Sequence, residues 1–229
     1  MSYTCISQFR GRGGTLSKCP TPDYHTMEFE SGKYYHFYNR SNNEELLFKS
    51  EKNYAYFLGK YRYYLGPLIS TLAYCLMPTH FHSLIKVKEM SDTSKVCDIS
   101  PSNSDTSKMS DISTSIKKNI GLLLSGYTKA INKKFKRHGS LFQPHSKAKE
   151  IDDEKYLLTL ISYIHQNPVR SKLVRKAEEW KYSSYQDLIG LRNGSLPDRE
   201  FIKKYFKTTG EFKKYSEEIV ASVKKEYWV

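Results

Sequence analysis

Apolar and polar positions alternate along residues 31–188 in a way that predicts strands and helices in turn. The aromatic run in SGKYYHFYNRSNNEELLF predicts a strand and then a turn, and apolar residues at helical spacing in 50–65 predict an amphipathic helix that begins after Ser50. The segment LISTLAYCLMPTHFHSLIKVK (68–88) is apolar on both faces and is interrupted at Pro78. It therefore predicts two adjacent central strands.

The second half of the chain continues this pattern. A long helix with one apolar stripe is predicted at 116–139, where Gly139 is a natural stop. A short strand or extended segment is expected within 140–151, before a helix with an acidic first turn that should end at Asn167, ahead of Pro168. The order of strands and helices predicts an α+β fold, with an antiparallel sheet and helices on one face.

The domain organisation follows from changes in composition. Residues 1–30 show little periodicity and are interpreted as an N-terminal arm, whereas 31–188 form the main domain. Within it, 90–115 contain SDTSKVCDIS repeated as SDTSKMSDIS, which offers little to bury and predicts a low-complexity, disordered insert. Residues 189–229 are interpreted as a helical C-terminal extension.

Charge and composition narrow the possible functions. The 229 residues include 37 Lys and Arg against 24 Asp and Glu, a net charge of +13. This surplus favours a polyanionic partner, most commonly nucleic acid, over a basic protein that is merely soluble. No run reaches the ~18 apolar residues of a membrane helix, and the first residues lack the apolar core of a signal peptide. Four scattered cysteines without a CxxC pair suit a reduced, cytoplasmic setting.

Two short segments carry candidate chemistry. His80 and His82 share one face of their predicted strand because side chains alternate, so both imidazoles can bind one ion. A lone His-x-His is nonetheless more often structural. On the later helix, Tyr163 and Asn167 stack one turn apart on a flank of the apolar stripe. From this segment alone, the favoured explanation is a boundary aromatic at Tyr163 and a polar cap at Asn167 before Pro168.

In combination these segments resemble a known family. The chain is similar to the single-tyrosine HUH (His-hydrophobe-His) transposases, and most of all to the REP-associated tyrosine transposases, over residues 31–188. The matching stretches are GKYYHFYNRSNNEELLF, AYCLMPTHFHSLI, SGYTKAINKKFKRHGSLFQ, YLLTLISYIHQNPVR and the trailing W-KYSSY. The resemblance implies a ferredoxin-like sheet, with His80, His82 and Asn167 as metal ligands and Tyr163 as the nucleophile. It also implies cleavage and rejoining of single-stranded DNA beside a hairpin, through a covalent 5′-phosphotyrosine.

Elementary chemistry agrees with these implied roles. A free tyrosine has a pKa near ~10, so its hydroxyl is a weak nucleophile at neutral pH. A divalent cation at the scissile phosphate can neutralise charge that develops during the attack. Mixed nitrogen and oxygen ligands suit Mn²⁺, whereas Mg²⁺ prefers oxygen, so we expect Mg²⁺ or Mn²⁺ without ranking them.

Basic residues on both sides of the Tyr163 helix predict the path of the DNA. The DNA-binding candidates are Lys129, Lys133, Lys136, Arg137, Lys147, Arg170 and Lys172. Tyr127 is a rival nucleophile, but it lies on the apolar stripe of its helix and has no metal ligand one turn later. His138, His145 and His165 are expected at solvent or bonded to backbone, and Gln143 matches a family position without an assigned role.

Two other functions remain open from the sequence. A domesticated hairpin-DNA-binding protein would bind DNA without cutting it, and a metal hydrolase using His-x-His would need a nearby Asp or Glu, which is not evident beside the motif. We expect the protein in the cytoplasm, associated with the nucleoid, and without a membrane partner. A homodimer is compatible with the sequence, which does not decide between cleavage within one chain and cleavage across two.

Overall fold

The structure, a computed structural model, describes residues 28–89 and 108–218. Most of the predicted N-terminal arm and residues 90–107 of the predicted insert lie outside the described residues, as do 219–229. Cys75 is buried and free, whereas the other three cysteines fall outside the described ranges. No helix in these ranges is both long and apolar enough to cross a bilayer.

The described residues form one antiparallel sheet of four strands in the order β2–β3–β1–β4. The strands are β1 (Tyr34–Arg40), β2 (Ile69–Leu76), β3 (His80–Val87) and β4 (Lys147–Ile151). The helices are α1 (Glu51–Leu65), α2 (Lys108–Phe135), α3 (Glu154–Arg170), α4 (Tyr185–Leu188), α5 (Arg199–Lys203) and α6 (Thr209–Glu218). The first six elements run β1-α1-β2-β3-α2-β4, the ferredoxin-like order, so the predicted α+β class with an antiparallel sheet is confirmed.

The helices cover both faces of the sheet, and in this respect the prediction of helices on one face was wrong. α1 and α2 do share one face, where they pack on Phe81 and Ile85 of β3. α3 lies on the other face, against Leu84 and neighbouring residues of β2. The reason is that the central strands are apolar on both sides, so each side needs a cover to exclude water.

The face toward α1 and α2 is a dry aromatic core. Phe37, Phe57 and Phe81 are almost completely buried, and the Phe57 ring lies 5.2 Å from that of Phe81. Each such side chain contributes about 1.5–3 kcal/mol when it leaves water. This core fixes the positions of β1 and β3, which carry the polar groups of the opposite face.

Two helix boundaries differ from the prediction. α2 begins at Lys108 rather than at 116, and it ends at Phe135 rather than at Gly139, which has a φ of +81° in the following turn. The sequence did not reveal this first part of the helix, because the polar second copy of the duplicated segment, SDTSKMSDIS at 104–113, extends into it and its few apolar residues show little periodicity.

α3 continues through Pro168 to Arg170, although it was expected to end at Asn167. A proline has no N–H to donate to the carbonyl four residues earlier, which here belongs to Ile164. The side-chain Nδ2 of Asn167 donates to that oxygen at 3.4 Å and to Tyr163 O at 3.1 Å. The helix therefore passes the proline with a side-chain bond in place of the missing backbone bond.

Candidate active site

The two histidines of the His-Phe-His motif lie at the start of β3, on the face toward α3. Their ring centroids are 5.2 Å apart with an interplanar angle of 87°. His82 is 1% exposed, whereas His80, the first residue of β3, is half-buried. Phe81 points to the opposite core, as the alternation of a strand requires.

Both imidazoles are neutral at neutral pH. Burial, together with the nearby positive charge of Arg40, lowers the pKa of His80 to about 4. Burial and the neighbouring His36 and His80 hold the pKa of His82 well below its usual value. Neutral imidazole carries a lone pair on one ring nitrogen, which is the form that binds metal ions.

Tyr163 of α3 faces these histidines. Its ring is 4% exposed, and it meets the His82 ring edge-on, with centroids 6.3 Å apart and an interplanar angle of 80°. The hydrogen bond that it receives from the Asn167 side chain is to its backbone oxygen and not to its hydroxyl. All these groups belong to one chain, so the phenol and the imidazole pair come together without a second subunit.

The acidity of Tyr163 reflects two opposing influences. Burial raises the pKa of its hydroxyl, and the charge of Arg170 lowers it. The Arg170 guanidinium lies 5.1 Å from the centre of the Tyr163 ring, over its face. This cation favours the phenolate over the phenol, and it is therefore placed to assist the loss of the phenolic proton.

Asn167 is 8% exposed and lies one turn after Tyr163. Its Nδ2 is used by the carbonyls of Tyr163 and Ile164, and only a nitrogen can donate to them. The amide oxygen consequently turns away from the helix backbone and accepts no hydrogen bond from the described residues. Pro168 helps to fix this orientation, because it leaves the Ile164 carbonyl available.

The helix that carries Tyr163 is fastened by the segment around WKYSSY. His165 Nε2 is 2.7 Å from Ser184 Oγ, and Ser184 Oγ accepts from Tyr74 N of β2 at 2.9 Å. Gln166 Nε2 donates to Ser216 O of α6 at 3.1 Å. His165 is thus fully buried and bonded to a side chain, not at solvent or bonded to backbone as expected. These bonds hold α3 in place against β2.

Three side chains of the two elements have donor atoms of the kind that bind divalent cations. His80 Nε2, His82 Nε2 and Asn167 Oδ1 take part in no hydrogen bond within the described ranges. Two nitrogen donors and one amide oxygen suit Mn²⁺, and the neutral ligands leave the full charge of the ion for a phosphate. Within the part of the chain that the structure describes, no three His, Cys, Asp or Glu side chains form a metal-binding group.

Basic side chains lie around the imidazole pair. Lys147 Nζ is 5.9 Å from the centre of the Tyr38 ring, whose own centroid is 6.0 Å from that of His82. Arg40 is the cross-strand partner of His80, and Lys149 is that of His36. Arg40 and Lys149 were not among the predicted residues, although alternation along the two strands places them on this face. The surroundings are therefore positive, as a phosphodiester requires.

The remaining lysine candidates lie in a groove or at the surface. Lys129 lines a groove of about 630 Å³ with Asn39 and Gln143, between α2 and the segment before β4. Lys133, Lys136 and Lys172 are exposed.

Arg137 has partners inside the protein. Its guanidinium is 13% exposed and donates to both carboxylate oxygens of Glu45, at 3.0 and 2.8 Å. It also donates to Asn132 Oδ1 at 2.5 Å. These bonds account for Arg137 as a link between the end of α2 and the turn after β1.

Two other residues change how the site is interpreted. Tyr127 is fully buried on the opposite face and donates its hydroxyl to Leu47 O at 2.7 Å, so packing explains this rival nucleophile. His36, which the sequence analysis left without a role, lies beside His82 with Nε2 3.0 Å from His82 Nδ1. The signal for it was a histidine at every-second spacing with Tyr34 and Tyr38 in an otherwise aromatic strand.

Comparisons with known proteins add a likeness of fold. No protein-family model and no curated protein matches the chain. Among solved structures, the chain is similar to one described as the REP-associated tyrosine transposase bound to a REP hairpin. The match covers 78% of this chain and 98% of that chain, with 16% identity and a TM-score of 0.49.

Proposed function

We propose that this protein is a DNA strand transferase that cuts and rejoins single-stranded DNA beside a hairpin, with Tyr163 as the nucleophile. The observation that carries the proposal is the phenol of Tyr163 lying edge-on to the His82 ring, 6.3 Å away between ring centroids. By contrast, the rival Tyr127 donates its hydroxyl to Leu47 O inside the core.

The proposed step is a transfer of a phosphodiester bond. The Tyr163 oxygen attacks phosphorus, a new bond forms between them, and the bond from phosphorus to the 3′-oxygen breaks. The phenolic proton is released, and the departing 3′-oxygen takes up a proton to become a free hydroxyl. Because the phosphotyrosine retains the energy of the broken bond, the reverse attack by a 3′-hydroxyl rejoins DNA without a nucleotide cofactor.

The chain's own residues would orient the reactants. In this proposal His80, His82 and Asn167 hold Mg²⁺ or Mn²⁺, which would supply charge neutralisation at the scissile phosphate. Arg170 lies over the nucleophile's ring and favours loss of its proton. Arg40, Lys147 and Lys149 form a positive rim on the same face, which supports a polyanionic substrate.

The test is the formation of a covalent protein–DNA adduct. The protein is incubated with a single-stranded oligonucleotide that carries a hairpin, in the presence of Mn²⁺, and is then separated under denaturing conditions. We expect a slower-migrating adduct with wild type and none with Tyr163→Phe. The matched control is Tyr127→Phe, which should keep the adduct while losing about 1 kcal/mol of stability with its buried hydrogen bond.

The alternatives give different results in the same assay. An adduct that persists in Tyr163→Phe would move the nucleophile elsewhere. Salt-dependent binding of the hairpin by wild type without any adduct would instead identify a hairpin-binding protein that does not cleave. Tyr163→Phe should still bind the hairpin, since it keeps the basic rim.

A further inference from the structure

A buried pair of histidines connects β1 to the candidate metal ligands on β3. His36 and His82 are 0% and 1% exposed, and their rings are nearly parallel, with centroids 5.1 Å apart and an angle of 16°. The 3.0 Å distance between His36 Nε2 and His82 Nδ1 is that of a hydrogen bond. Tyr38 packs against the other side of this pair, 4.8 Å from the His36 ring.

One proton lies in this hydrogen bond, and the ring that carries it determines which nitrogen of His82 has a lone pair. In a neutral imidazole one nitrogen carries a proton and the other a lone pair. If His36 donated, the proton of His82 would lie on Nε2, and that nitrogen could not bind a cation. If His82 donates from Nδ1, its Nε2 carries the lone pair and is available as a ligand.

Resting on the proposed function, we infer that His36 is a positioning residue that accepts the Nδ1 proton of His82 and so fixes the tautomer and ring plane of this ligand. A ligand imidazole usually donates its other N–H to such a partner. The register of β1 and β3 holds the two rings together across the middle of the sheet, so the orientation exists before any cation binds. A neutral acceptor also leaves the charge of the cation undiminished, whereas a carboxylate in its place would offset it.

The direct test reads the tautomer without metal, DNA or catalysis. Protein labelled with ¹⁵N-histidine is measured by NMR in chelator at neutral pH, and the His82 signals are assigned from the spectrum of His82→Asn. We expect a protonated Nδ1 and a lone pair on Nε2 of His82. A protonated Nε2 on His82 would overturn the inference, whatever the activity of the protein.

Substitutions of His36 give a second, independent measurement. His36→Phe keeps an aromatic ring but removes the acceptor, and it should weaken Mn²⁺ binding at least about tenfold. His36→Gln restores an acceptor oxygen and should bind Mn²⁺ within about threefold of wild type. Tyr38→Phe removes only the hydroxyl of the neighbouring ring and leaves the His36–His82 hydrogen bond in place, so the His82 tautomer should be unchanged.

The outcomes separate this inference from the function on which it rests. If wild type forms the Tyr163 adduct but His36→Phe binds Mn²⁺ as tightly as wild type, the positioning role is wrong and the strand transferase remains. If wild type shows the expected tautomer but forms no adduct, the strand transferase is wrong, while the His36–His82 arrangement is supported. Should His36→Phe fail to fold, judged by circular dichroism, the wild-type tautomer still decides.

Discussion

The two faces of the sheet are built from the same strands and differ in chemistry. Toward α1 and α2, β1 and β3 present Phe37 and Phe81 to a dry core of aromatic rings. Toward α3, alternate residues of the same strands bring together His36 and His82. A shift of one residue in register would exchange the two sets, so the apolar face stabilises the fold and also keeps the polar face in position.

The largest effect on stability is expected from a substitution on the apolar face, which should weaken the fold without removing the chemistry of the polar face. Phe57→Ala removes a completely buried ring that contacts Phe81 and Phe142, and it should lower the free energy of unfolding by about 3–5 kcal/mol. Urea denaturation measures this loss. The yield of the Tyr163 adduct per folded molecule should stay within about twofold of wild type.

A different result would break the comparison. If folded Phe57→Ala lost the adduct in proportion to its stability, the aromatic core would control the geometry of the polar face more closely than the register alone requires. Tyr163→Phe provides the reverse case, with the adduct lost and stability within about 0.5 kcal/mol of wild type, because the substitution removes only a hydroxyl and keeps the ring that packs on His82.

Local patterns predicted much of this structure. The order of strands and helices, the break at Pro78 and the shared face of His80 and His82 depend on residues close together in sequence, and all three are present. The position of α3 on the second face could also have been inferred from the sequence, because a strand that is apolar on both sides needs a packed layer on each side.

What the sequence did not predict depends on distant partners. The bond between His36 and His82 joins residues 46 positions apart and exists only because of the β1–β3 register. Arg137 was predicted to bind DNA before its partner Glu45, 92 positions away, could be known. Neither pairing leaves a periodic signal, because each residue is placed by a different element of the fold.

Acid should weaken the α3 side of the sheet, where the buried neutral histidines lie. Burial lowers the pKa of His36 and His165 to about 3 and that of His80 to about 4, compared with an ordinary value of 6.5. Below pH 6.5 these histidines therefore bind protons in the unfolded chain, whereas they stay neutral in the folded chain. Stability is fully present above pH 6.5 and falls as the pH drops toward 4, by up to about 1.4 kcal/mol per unit for each histidine.

This dependence is measured by urea denaturation in chelator between pH 7.5 and about 5.5, above the range in which most carboxylates titrate. His165→Gln should reduce the slope by about one proton, because one buried imidazole is gone. A wild-type stability that is flat over this range would show that these imidazoles are protonated in the folded protein, contrary to their burial.

The smallest expected effect concerns Pro168, which differs from its neighbours in having no N–H. In Pro168→Ala the new N–H can bond to Ile164 O, and the Asn167 amide loses one of the two carbonyls that orient it. The helix should be unchanged or slightly more stable, while Mn²⁺ binding should weaken by a few-fold to about tenfold. Titration with Mn²⁺ measures this, with Asn167→Ala as the upper limit of the loss. If Pro168→Ala bound Mn²⁺ like wild type while Asn167→Ala did not, the amide would be oriented by Tyr163 O alone, and the proline would serve only the path of the chain after α3.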